Sequence, residues 1–298
     1  MKNYRVSLVA VSLFLVSAAN VMAQNVIAKK PQGGPAPLGV HWAKGVKPAP
    51  PVRGKSPLML WHKGPIMTSS AVQVIYWGTS WGNSSFVGDK ISGLTSWYTG
   101  FSGSNYAVTS DEYTGTNGQV GSMNTLGSDV IDLSPAGSGA KTSTILAEVC
   151  RKISAPVANG YYPVYVDLPR GHAGYCAYHS WGSCGGTPVQ FAFFWNLDGD
   201  AGCDPQDTSG LHSQGLAALA NVSGHELSEA RTDPIGTGWF DSSGAENGDK
   251  CAWTFNVPLV SFTNRTQWKI QGEWSNAAYN NGTGYPNSSG QKGCLDGH

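Results

Sequence analysis

The sequence predicts an α/β (α+β) fold, a mixed β-sheet backed by helices in one main globular domain. Three observations carry that expectation. First, residues 71–77, 161–168 and 190–197 are β-branched and aromatic runs of strand length bounded by turn residues, and the last is almost wholly apolar, as a strand covered on both faces should be. Second, apolar residues recur at helical spacing over 86–101, before Arg151 and Lys152, and over 213–231. Third, about 235 residues follow the proline-rich N-terminal region with no second composition break, which suits a single domain.

Residues 1–23 read as a secretory signal peptide. Lys2 and Arg5 give the basic start, 6–19 the apolar centre, and Val21-Met22-Ala23 a small-residue cleavage site. No later run reaches the ~20 apolar residues a membrane-spanning helix needs. The expected product is therefore secreted, extracellular or periplasmic, and monomeric. In an oxidising compartment the even set Cys150, Cys176, Cys184, Cys203, Cys251 and Cys294 favours disulfides, with Cys176–Cys184 the pair closest in sequence.

Residues 24–65 form a Pro/Gly-rich basic arm or linker, expected to be extended and mobile. Nine of the chain's 19 basic residues precede Asp89, the first acidic one, so the near-zero net charge conceals a basic arm on an acidic body. A linker is the default reading, and no nucleic-acid partner is expected.

Within the domain, residues 66–298, Ile91, Leu94, Tyr98 and Phe101 give the first amphipathic helix. Ile145, Leu146 and Val149 give a second, whose basic C-terminus suits the helix dipole. The aspartate-rich loop 198–207 offers hard oxygen ligands of the kind calcium takes, without the glutamate that closes an EF-hand. Trp268 and Trp274 near the C-terminus are candidates for stacking on sugar rings or for core packing.

The chemistry concentrates in Gly224-His225-Glu226-Leu227-Ser228-Glu229-Ala230. On a helix at about 213–231, capped by Ser213, His225 and Glu229 lie on one face and can share a cation, and Glu226 stands where a general base belongs. This is the HExxH zinc helix with glutamate in place of the second histidine. The fold expected around it is zincin-like. Pro234 stops the helix, and the chain then runs to Glu246-Asn247-Gly248-Asp249-Lys250-Cys251. Glu246 is the expected third ligand, Asp249 its substitute, and Cys251 pairs with Cys294 if it is bonded. His212, 13 residues before His225, lies too far along the helix to share the ion.

The sequence resembles the EXORDIUM, or phosphate-induced protein 1, family of secreted proteins. The resemblance rests on His62-Lys63-Gly64-Pro65, the strand ending Tyr76-Trp77-Gly78, Tyr175-Cys176-Ala177-Tyr178-His179, the 190–197 strand, Thr232-Asp233-Pro234, Gly238-Trp239-Phe240 and the 246–251 segment. It implies an extracellular, cell-wall-associated protein without an agreed enzymatic activity. The plant pattern carries small and apolar residues where this chain has His225 to Glu229, so the metal expectation comes from this chain's own residues. Two functions follow as expectations. One is a secreted zinc-dependent hydrolase, peptidase-like, acting on a peptide or cell-wall polymer. The other is a non-catalytic wall or glycan-associated protein.

Overall fold

The structure, a computed structural model, describes Met1, residues 34–46 and residues 56–298. Residues 2–23 of the expected signal peptide lie outside the described residues, as do Lys29, Lys30, Lys47, Arg53 and Lys55 of the arm.

An eight-stranded mixed sheet forms the centre. Its strands are β1 (Val40–Trp42), β2 (Ser70–Val72), β3 (Ile75–Trp77), β4 (Asn124–Leu126), β5 (Val130–Asp132), β6 (Gly160–Pro169), β7 (Tyr175–Cys184) and β8 (Thr187–Asn196). The apolar β6 lies between parallel β8 on one side and parallel β2 and β3 on the other. β2 and β3 in turn carry β4 and β5, also parallel. Beyond β8 the sheet turns antiparallel: β7 returns through the two-residue Gly185-Gly186 turn, and β1 is added outside it. The three expected strands thus share one sheet, with the expected 71–77 strand divided at Gln73-Val74 into β2 and β3.

Three helices cover it: α1 (Lys90–Phe101), α2 (Thr142–Lys152) and α3 (Gln214–Thr232). Side chains of a strand alternate between faces, so His179 of β7 points to the α3 side and Gly182 to the α2 side, where its bare Cα admits Leu146. Ser213 Oγ accepts the backbone N–H of Leu216 and caps α3. The helix ends immediately before Asp233-Pro234. Eighteen of its 19 residues are buried, because α1, the sheet and the C-terminal segments surround it. One hydrogen-bonded chain ties the layers together: Tyr98 Oη to Tyr165 Oη at 2.8 Å, and Tyr165 Oη to Ser223 Oγ at 2.6 Å.

The structure corrects several sequence expectations. Part of the arm is not a free linker: residues 38–42 run along β7, with Leu38 N–H donating to His179 O and His179 N–H to Gly39 O. Cys176 and Cys184 lie on one strand and do not pair with each other. The disulfides are Cys150–Cys184, Cys176–Cys203 and Cys251–Cys294. Residues eight apart on an extended strand are ~26 Å apart, far beyond the Cα separation a disulfide spans. Trp268 and Trp274 are 1% and 0% exposed, so they pack in the core and are closed to sugar stacking.

Candidate metal centre

Two side chains of α3 begin the site. His225 and Glu229, one turn apart, bring Nε2 and Oε1 to 3.1 Å. After the proline stop the chain comes back as a short helix, α4 (Asn247–Lys250), pinned by Cys251–Cys294. Asp249 Oδ1 then stands 3.7 Å from His225 Nε2, and the Asp249 N–H donates to Glu229 Oε1 at 2.9 Å. Only glycine fits at position 248, where a Cβ would lie 2.8 Å from His225 Nδ1.

The sheet supplies two more imidazoles. His179 Nε2 is 3.3 Å from Glu246 Oε2 and 3.7 Å from Glu229 Oε2. His41, opposite Ala177 in the β1–β7 ladder, stacks on His225 with ring centres 4.1 Å apart. Neither ring nitrogen of His41 is hydrogen-bonded, and neither carboxyl oxygen of Glu226 has a full hydrogen bond. The backbone N–H of His41 is the group that most favours the charged form of Glu226.

All five residues expected at the site, His225, Glu226, Glu229, Glu246 and Asp249, are brought together. Their grouping differs from expectation in one respect: Asp249, rather than Glu246, completes the set around His225 and Glu229, whereas Glu246 groups with His179 and Glu229. A third set is His41, His225 and Glu226. His179 and His41 escaped the sequence reading. His179 has a local signal, sharing a strand face with Tyr175 and Ala177, but the expected Cys176–Cys184 pair would fold residues 175–184 into a loop. His41 has none, because it sits in the proline-rich region.

The electrostatics are those of buried, uncharged ligand groups. Burial holds His225 down to about 4 and His179 to about 3, so both are neutral at ordinary pH. Burial first, and then the crowding of neighbouring carboxylates, raises Glu226 and Glu246 well above the usual carboxylate range. The nearby bases are engaged elsewhere: Arg231 donates to Gly121 O and Ala107 O, and Lys250 bonds Asp241. Neutral imidazoles among carboxyl groups are metal ligands by type, and a cation would enter by displacing carboxyl protons.

Gln271 adds a constraint. Its Nε2 donates to Gly248 O at 2.9 Å and its Oε1 accepts from Trp253 N–H at 3.2 Å, which fixes the amide's orientation. That same Nε2 lies 3.1 Å from His225 Nδ1. The proton of His225 is thereby placed on Nε2, facing Glu229. Ligation through Nε2 requires it on Nδ1, with the amide turned to receive it.

None of the aspartates of the 198–207 loop falls in the three ligand sets found among the described residues. Asp198 is paired with Lys90, Asp200 with Arg170, and the loop is held by Cys176–Cys203. His212 stacks on Trp268 with ring centres 4.0 Å apart, outside the three ligand sets. Comparison with protein-family models, with curated proteins and with solved structures returned no match to this chain.

Proposed function

We propose that this protein is a secreted metal-dependent hydrolase, with zinc the expected ion and a peptide bond the expected target. The carrying observation is the α3 motif in its surroundings: His225, Glu229 and Asp249 form one ligand set, and Glu226 lies beside it without a full hydrogen bond. In this reading these three residues would hold the ion, which when bound would supply Lewis-acid polarisation of a carbonyl and a more acidic water. Glu226 would accept the attacking water's proton and pass it to the leaving amine. Three disulfides, and the absence of any helix among the described residues long and apolar enough to cross a membrane, agree with export.

The test is metal analysis of the purified protein together with hydrolysis of an unstructured protein such as casein. Bound zinc that falls in His225→Ala, with cleavage abolished in Glu226→Gln while zinc stays, supports the reading. Less than about a tenth of an equivalent of zinc, with no effect of added metal on stability, ends it.

One observation favours a second reading, a non-catalytic EXORDIUM-like extracellular protein in which the ion is structural. Every ligand-type side chain of the cluster is closed to solvent except Asp249, whose side chain is 23% exposed. Closed sites are typical of structural zinc. Bound metal with no hydrolysis of any peptide or wall polymer selects this reading. Glycan contact through Trp268 and Trp274 is no part of it.

A further inference from the structure

We propose that the cluster holds two divalent cations, bridged by Glu229, rather than one. The inference rests on the metal reading above and is independent of whether the protein is a hydrolase.

The two oxygens of Glu229 face different histidines. Oε1 lies 3.1 Å from His225 Nε2, and Oε2 lies 3.7 Å from His179 Nε2. Each side has its own third residue, Asp249 beside His225 and Glu246 beside His179. Ligand bonds to zinc are about 2.0–2.2 Å, so two ligand atoms on one ion can be at most about 4.4 Å apart. His225 Nε2 and His179 Nε2 lie 3.1 and 3.7 Å from the Glu229 oxygen each faces, inside that limit, and the two histidines fall in separate sets with Glu229. One ion therefore takes one histidine or the other. A carboxylate with an oxygen toward each position is the usual bridge of a two-metal centre, where the ions sit about 3.5–4 Å apart.

The cluster also supplies ligands enough for two ions: four carboxylates, from Glu226, Glu229, Glu246 and Asp249, and the imidazoles of His41, His179 and His225. Independent of the bridge, buried polar atoms lacking hydrogen bonds surround the positions: both oxygens of Glu226, both ring nitrogens of His41, and His179 Nδ1. A fully satisfied core would not leave them so.

The test uses the purified full chain dialysed against zinc, with elemental analysis for stoichiometry and, after exchange into Mn2+, electron paramagnetic resonance for coupling between ions. Two equivalents are expected, with a spin-coupled manganese spectrum. His179→Gln and, separately, His225→Gln should each fall to one equivalent and lose the coupling. One equivalent in the wild-type protein overturns the second ion while leaving the metal reading intact. No bound metal overturns both. Because the wild-type stoichiometry alone decides between these outcomes, a variant that fails to fold does not spare the proposal.

Discussion

Gly39 and Glu229 are in direct backbone-to-carboxylate contact: a Cβ at position 39 would overlap Glu229 Oε2 and stand 2.7 Å from His179 Cδ2. The edge strand thus closes the site from the sheet side, as Gly248 does from the α4 side. Gly39→Ala should push the Glu229 carboxylate out of line with His179. The expected cost is about 1–3 kcal/mol, as for other overpacked core positions, with a loss of bound metal of tenfold or more. Urea unfolding and metal titration check it. Unchanged metal affinity would show that the glycine matters for packing alone.

The pH dependence of the metal-free protein follows from opposed groups. The folded-state values of His179 and His225, about 3 and about 4, and the lowered value of His41, lie below the ordinary 6.5. Below 6.5 the unfolded chain therefore binds more protons at these sites, and their contribution to stability falls as pH drops toward 4. Glu226, Glu246 and Glu273 are raised, so their contribution is full below about 4.5 and is lost as pH rises through their folded values. From 4.5 to 6.5 the two sets offset each other. Above 6.5 the carboxylates act alone, and the metal-free protein should lose stability as pH rises further. Zinc-loaded protein should not, because ionised carboxylates are what the ion binds. Thermal melts of both forms across that range test the sign; parallel curves would contradict it.

Gln271 should control the His225 position. Gln271→Glu replaces the amide N–H group facing His225 Nδ1 with an acceptor, which favours the Nδ1–H tautomer and frees Nε2 as a ligand. An affinity gain of about tenfold at that position is expected, since partners of this kind tune metal sites by 10–100-fold. The lost bond to Gly248 O should cost the metal-free protein about 1 kcal/mol. Competition with a chelator of known affinity measures the first effect and urea unfolding the second.

Cys251–Cys294 closes a loop with a sequence separation of 43 and anchors the segment of Glu246 and Asp249, the N-cap and third residue of α4. The double variant Cys251→Ala/Cys294→Ala should lose about 3–4 kcal/mol, the chain-entropy value for such a loop. Metal affinity should fall with it. The equivalent change at Cys150–Cys184, a separation of 34, should cost similar stability but leave metal binding unchanged, because that bridge ties α2 to the end of β7 away from the cluster. Equal metal loss in both variants would show that global stability, rather than the anchored return, governs the site.

What the sequence determined by itself is what short-range physics decides. The span of α3 follows from helical period, the Ser213 cap and the Pro234 stop, and the chain returns after it with Glu246 and Asp249 to join the three site residues on the helix. The strands 71–77, 161–168 and 190–197 were legible because a covered strand is apolar along its whole length. Tertiary structure decided the rest. His41 meets His225 only because β1 pairs with β7 in the register that sets His41 opposite Ala177, and a shift of one residue would turn its ring to the other face. The same dependence placed His179 over Glu229, matched Cys176 with Cys203, and gave the place beside His225 to Asp249 rather than Glu246. Helical neighbours are fixed by bonds within one segment, whereas strand partners and disulfide partners are chosen by chain segments far apart in sequence, and no local pattern records that choice.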